Sequence, residues 1–296
     1  MLERPTVPPQ SAHAGLLLEA WQRLRRHRAA MTGLLMLLVL FILAAAAPLF
    51  TAQDPERQQL MQVLQPSSWT HPLGTDHLGR DLWARVLYGG RLSLVIGFLA
   101  VGVGLAVGVP LGAMSGFHGG VTDLLIQRIA DILLSFPGFL LALALVSILG
   151  VGVQNVIISV GVSAIPVFIR LVRGSVLSIR EFVHVEAARA LGIRSGPLIL
   201  KHVLPHALAP IIVQATLNLG SAILVAAGLG FLGLGVQPPT AEWGAMLGEG
   251  RQYIFSAPSL TTFPGLAIFC AVLGFNLLGD GLRDVLDPRL RTLGQV

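Results

Sequence analysis

The sequence predicts an all-α, polytopic membrane protein with six transmembrane helices, and three observations carry that prediction. Of its 296 residues, 54% are hydrophobic and only 12% charged, half the charged share of an ordinary soluble domain, and mean hydropathy is +0.76. Apolar surface on this scale is hidden only in a bilayer, which excludes soluble-enzyme and disordered classes. Five stretches, 29–53, 92–122, 132–169, 202–241 and 252–279, carry no charge at all, and a helix crosses the hydrocarbon with about 20 apolar residues. The third observation is where the basic residues stand. Fifteen of the 20 Lys and Arg residues fall in alternate connections if the N-terminus is inside, the bias that retains loops in the cytoplasm.

Taken in order, the N-terminal segment 1–29 is basic, with Arg23, Arg25, Arg26 and Arg28 just before the first helix, 30–52. That helix begins too late and is too long for a cleavable signal peptide, and reads as a retained anchor. Segment 53–90 is extracytoplasmic and contains Pro, His and Trp with balanced charge; Asp76, Arg80 and Asp81 lie ahead of an amphipathic stretch, 82–94. In the second helix Gly104, Gly108, Gly112 and Gly116 recur every fourth residue and therefore share one face, where backbones of neighbouring helices approach closely. That face is a seam within the chain or against another subunit. The third stretch, 132–169, is too long for one crossing at about 1.5 Å per residue, and divides at Gly150-Val-Gly-Val-Gln-Asn155. Six helices result, with both termini and the long polar connection 170–206 inside.

Several chemistries are excluded. Cys270 stands alone, so the chain forms no intramolecular disulfide and no cysteine zinc site. A pI near 10.6 here reflects arginines beside hydrophobic runs, a topology signal rather than a nucleic-acid surface. The only lysine, Lys201, follows Leu200, so no Walker A loop exists and the chain holds no nucleotide in that way. Gly228-Leu-Gly230-Phe-Leu-Gly233 lies in an apolar stretch with no strand before it, which fits helix packing and not a dinucleotide. His202 and His206 lack a third metal ligand, and no catalytic serine motif is present. No ionisable group sits mid-span, which disfavours a stand-alone secondary transporter or a charged ion filter.

The inside connection contains Glu186-Ala187-Ala188, three residues, Gly192, nine residues, then His202-Val-Leu204-Pro205. Physically this is a short Ala-rich helix stopped at Gly192, a turn at Ser195-Gly196-Pro197 and a second short helix ending near Pro205. Such a unit is either an ordinary connection or a docking element for another protein's groove. The segment resembles the EAA loop of the permease subunits of bacterial ABC importers, with His202 where the general pattern has Ile. Leu73-Gly-Thr-Asp-His-Leu-Gly-Arg-Asp-Leu82, Asp131-Ile-Leu-Leu-Ser-Phe-Pro137, Phe231-Leu-Gly-Leu-Gly235, Ala241-Glu-Trp-Gly-Ala-Met246 and Asn276-Leu-Leu-Gly-Asp-Gly-Leu-Arg-Asp284 resemble the C-type permease of the dipeptide/oligopeptide/nickel family.

The resemblance implies a type I ABC importer permease fold, with a five-helix core over 91–283, an EAA coupling loop over 181–205 and a cytoplasmic tail over 284–296. It implies a chain with no catalysis, cofactor or metal of its own, in the bacterial cytoplasmic membrane. Its partners would be a homologous second permease, two cytoplasmic ATPases that bind ATP and Mg, and an extracytoplasmic solute-binding protein. Glu186, Ala187, Ala188, Gly192, Leu204 and Pro205 would couple to the ATPases. Asp76, Arg80 and Asp81 would be a salt-bridged cap on the second helix or part of the binding-protein docking surface. Short peptides are the expected cargo, from the peptide-type look of the Asn155 and Pro166–Arg173 stretches, and nickel or a metal chelate is the alternative.

Overall fold

The computed structural model describes residues 21–286; segments 1–20 and 287–296, with most of the expected N-terminal segment and C-terminal tail, lie outside the described residues. Its regular elements are α1 (Arg28–Ala45), α2 (Leu82–His118), α3 (Gly120–Leu134), α4 (Gly138–Leu149), α5 (Val153–Ile179), α6 (Val183–Ala190), α7 (Leu204–Phe231), α8 (Trp243–Gly250) and α9 (Ser259–Leu286), with a few single turns between them. Helices α1, α2, α5, α7 and α9 are each long and apolar enough to cross a membrane, and α3 with α4 form one further span bent by 89°.

Contacts between the helices fix their directions. Arg91 on α2 donates from Nε to the Ala44 carbonyl at the end of α1 (2.6 Å), and Phe98 packs against Phe41 with tilted rings whose centroids are 5.7 Å apart, so α1 and α2 are antiparallel. Gly274 and Gly281 of α9 meet Leu37 and Ala30 of α1, so these two also run in opposite senses. On α7, Gly220 lies against Val272 while Leu217 lies against Gly279, which makes α7 and α9 antiparallel as well. Helices α2 and α5, in contrast, are parallel: Gly104 meets Phe168, Gly112 meets Val172 and Gly116 meets Val176. Two parallel helices in succession require a return crossing, and the bent pair α3–α4 supplies it. Its break is Ser135–Pro137, where Pro137 has no N–H to continue the helix. Arg173 clamps Asp123 through two hydrogen bonds of 2.6 and 2.7 Å, and Arg170 holds Asp131 at 2.7 Å, fastening α3 along α5.

Two boundaries differ from the pattern of charges. The third crossing starts at Gly120 and not near residue 132, because Asp123, Arg128 and Asp131 ride on a helix paired to arginines of α5. The second helix starts at Leu82, before the charge-free stretch begins, because Arg85 and Arg91 are neutralised or carbonyl-bound inside the fold.

The four-residue glycine repeat of α2 faces α5 within the chain. A β-carbon on Gly108 would stand 2.6 Å from Cβ of Phe168 and 2.9 Å from the Ile165 carbonyl; one on Gly112 would stand 2.6 Å from the Ile169 carbonyl. Gly161 returns the contact from α5, against Val103 and the Ala100 carbonyl. Gly102, on the opposite side of α2, has open space around its Cα. Overpacking of such a contact costs about 1–3 kcal/mol, so Gly108→Leu is expected to lower the melting temperature of the detergent-purified protein clearly. Gly102→Ala, in the same helix, should leave it unchanged or raise it, since alanine is the better helix former by about 1 kcal/mol.

Candidate functional site

At one end of the bundle the connection between α5 and α7 folds into a compact helical unit. Helix α6 places Val185 and Ala188, three residues apart, into a cluster with Ala113 of α2, Val172, Val176 and Ile179 of α5, and Leu198, Ile199 and Val203 beyond the turn. The remaining positions face out: Glu186, Ala187, Arg189 and Ala190 are exposed, and Leu191 is 83% exposed. Ala188 therefore needs a small side chain because it is buried against the bundle, whereas Ala187 is small on the open face. Among the described residues Glu186 has no ion-pair partner; it stands in the first turn of α6, where a carboxylate suits the helix dipole.

Gly192 ends α6. Its N–H donates to the Arg189 carbonyl (3.0 Å) and the Ile193 N–H to the Ala188 carbonyl (3.3 Å), the paired bonds of a Schellman cap whose central residue is left-handed. Gly192 has φ +80°, and nothing lies within 4 Å of where its β-carbon would be. The glycine is needed for its backbone conformation, and the space beside it is open to a partner. Beyond the turn, residues 199–203 form a wider π-type turn into α7, with the Leu204 N–H bonded to the Ile199 carbonyl. Pro205 explains it, because its ring and missing N–H exclude the usual bond to Lys201. Leu204 packs partly on the cluster and Pro205 is exposed. The unit is tied back to the glycine seam: Arg180 donates to the Gly116 carbonyl (3.0 Å), and the Arg189 guanidinium lies 5.3 Å over the Phe117 ring.

At the opposite end Asp76, Arg80 and Asp81 are brought together, but inside the protein. Their relative exposures are 3%, 1% and 4%, so these charges are enclosed and form no open surface. Asp76 accepts from the Leu78 and Arg80 N–H groups (both 2.9 Å), closing a turn. Gly79 occupies φ +71° there, and any side chain would run into the Gln59 carbonyl. Arg80 bridges Asp76 (2.6 Å) and Glu249 of α8 (2.6 Å). Arg85 reaches Glu249 (3.2 Å) and the Pro239 carbonyl (3.2 Å). Asp81 caps α2 by accepting from the Ala84 N–H (2.7 Å) and pairs with His71 (2.8 Å). Asp76, His77 and Glu249 bring ligand atoms within 4.8 Å of one another, but both carboxylates are already held by guanidinium groups that repel a cation, so the cluster is an ion-pair latch.

The sequence did not single out Arg85, Glu249 or Glu242. Glu242 is 2% exposed and accepts from Ser93 Oγ (2.7 Å) and from the Gly244 and Ala245 N–H groups (both 2.9 Å), which docks α8 on α2. Its only signal is a carboxylate directly before Trp243-Gly244, a helix-start pattern; the partners of Arg85 and Glu249 are far apart in sequence and leave no local trace.

The arrangement of helices has a counterpart among solved structures. The chain superposes on a MetNI methionine ABC transporter in an inward-facing conformation, with TM-score 0.54 and 24% identity over 68% of this chain and 96% of that one. Residues 108–292 match the model for the binding-protein-dependent transport system inner membrane component, and residues 15–66 that for the N-terminal transmembrane domain of oligopeptide transport permease C. The chain belongs to this family of ABC importer permeases. Over 295 residues it is 46% identical to the dipeptide transport system permease protein DppC of Alkalihalophilus pseudofirmus, covering 99% of this chain and 97% of that protein. It is 44% identical to the glutathione transport system permease protein GsiD of Pectobacterium atrosepticum, covering 93% and 91%. A permease of this family is an integral inner-membrane component and not a catalyst, and its six-span type I fold is the one described above.

Two pairs of variants separate the ends of this permease. Removing one partner of a buried ion pair costs about 3–5 kcal/mol, so Arg80→Ala is expected to lower thermal stability strongly, while Arg57→Ala, exposed in the same segment, leaves it unchanged. Ala188→Leu should disorder the unit around α6, read as faster proteolysis between residues 180 and 205, whereas Ala187→Leu leaves proteolysis at the wild-type rate.

Proposed function

We propose that this permease is one half of the translocation pathway of an ATP-driven importer of short peptides. It pairs with a homologous second permease, is driven by two cytoplasmic ATPase subunits that hold ATP and Mg, and receives cargo from an extracytoplasmic solute-binding protein. The observation that carries the reading is the near-full-length similarity to permeases named for a dipeptide and for glutathione, itself a short peptide. The geometry of α6 supports the coupling role. A two-turn helix with Glu186, Ala187 and Gly192 outward, anchored through Val185 and Ala188, is shaped to enter a groove and to transmit a push to α2 and α5. The charge bias of the connections supports an orientation with both termini and the segment 181–205 in the cytoplasm. The buried state of Asp76, Arg80 and Asp81 supports their role as a cap of α2; a binding protein would meet the outer surface that this cap holds in place.

The test is reconstitution of the assembled importer in proteoliposomes with ATP inside and binding protein plus a labelled dipeptide outside. ATP-dependent uptake is expected, and this chain alone should move nothing. Gly192→Val should keep the fold but abolish coupling, because a β-branched residue resists the left-handed conformation by more than the roughly 1–2 kcal/mol typical of an L-residue. Uptake by Gly192→Val at the wild-type rate would refute the coupling role, and uptake of a metal chelate in place of dipeptide would refute the cargo.

A further inference from the structure

Polar residues recur at helical spacing on α7 and on α9, two packed helices that bound a groove reaching to α5. Gln214, Asn218 and Ser221 are spaced by four and three residues on α7, and Asn276, Asp280 and Arg283 by the same intervals on α9, so each set shares a helix face. Asn276, Asp280, Arg283 and Ser221 are exposed, and Gln214 and Asn218 are half-buried. Gln214 and Arg283 line a single cavity of ≈ 440 Å³, which reaches across to Leu171 of α5. The antiparallel register, with Leu217 against Gly279 and Gly220 against Phe275, sets Asn218 and Asn276 at one level on neighbouring helices.

These groups are not at the membrane surface. Asn218 lies roughly 21 Å along the axis from Leu204, and Asn276 roughly 15 Å from Leu286, at about 1.5 Å per residue. Asn218 donates one amide N–H to the Gln214 carbonyl a turn back (2.9 Å), and the rest of an amide facing hydrocarbon at that depth is costly and turns toward water or protein. The same molecule shows what its outward faces look like elsewhere: α1 exposes Leu35, Leu38, Val39 and Ile42, and α2 exposes Val95, Phe98, Leu99 and Val107.

Resting on the importer reading above, we infer that this groove is the chain's wall of the translocation pathway, and that its amides receive the backbone of a short zwitterionic peptide. A primary amide both donates and accepts, which matches peptide N–H and C=O groups of any sequence. No fixed charge stands at mid-depth to trap either terminus. Asp280 and Arg283, of opposite sign, lie toward the end of α9 nearest the coupling unit.

The test uses the assembled importer in proteoliposomes, in a Cys270→Ser background. Asn218→Cys and Asn276→Cys are expected to react with a water-soluble, membrane-impermeant thiol reagent loaded on the ATPase side, with loss of dipeptide uptake. Leu38→Cys on α1 should react only with a lipid-soluble maleimide. Asn218→Leu is expected to cut uptake about tenfold, the effect of leaving one desolvated polar partner unpaired, while Asn218→Ser retains most of it. Reaction of Asn218→Cys and Asn276→Cys with the lipid-soluble reagent alone, or with neither reagent, in an importer that still carries dipeptides, would overturn the pathway assignment and leave the importer reading intact. Water-phase labelling in an importer that carries no dipeptide would overturn the peptide assignment and keep the groove as an aqueous path.

Discussion

The backbone contact between α2 and α5 is the interaction on which the rest of this permease depends. Within lipid there is no hydrophobic drive to bring helices together, so close packing and internal hydrogen bonding must do it. Four glycines on one face of α2 let it meet α5 over four turns, with main-chain carbonyls of Ile165, Ile169 and Arg173 where side chains would otherwise stand. Because the two helices are parallel, the chain between them has to recross, and the bent pair α3–α4 exists to satisfy that demand. Arg173 and Asp123, the bidentate pair that binds α3 to α5, lie level with the last glycine of the seam.

Both polar ends of the molecule hang on the same helix. At its start α2 is capped by Asp81 and carries Arg85 into the latch with Asp76, Arg80 and Glu249, and about two turns later Ser93 holds the Glu242 carboxylate that begins α8. At its far end Gly116 accepts from Arg180, and Phe117 lies beneath Arg189 of α6. One continuous helix, packed on its neighbour at backbone distance, thus links α6 to the segment ahead of Leu82. The two guanidinium groups of the latch face two carboxylates, which removes net charge from a buried site and holds α8 against the start of α2.

Much of this was legible in the sequence. Span number and alternation follow from charge-free lengths and the placement of arginine, since both report directly on transfer into a bilayer. The glycine face of α2 was legible because a four-residue repeat maps onto a helix surface without knowledge of the partner. Gly192 as a helix stop was legible for a similar local reason, although the open space beside it shows that its role is conformational. The partners of the charges ahead of α2 were not legible, because burial depends on residues far along the chain: Glu249 stands 169 positions from Arg80, and no pattern around Arg80 announces it.

By itself, then, the sequence determined an all-helical membrane chain, a glycine-lined packing face and the turn at Gly192 that ends α6. These are properties of local composition and spacing, which act over one or two helical turns or through the lipid alone. Only the tertiary structure decided that α2 and α5 are parallel, that the third crossing bends at Ser135–Pro137, that Asp76, Arg80 and Asp81 are internal, and that Asn218 of α7 and Asn276 of α9 stand at one level. Each of these rests on which helix face meets which, and that is set by contacts between residues far apart in the chain.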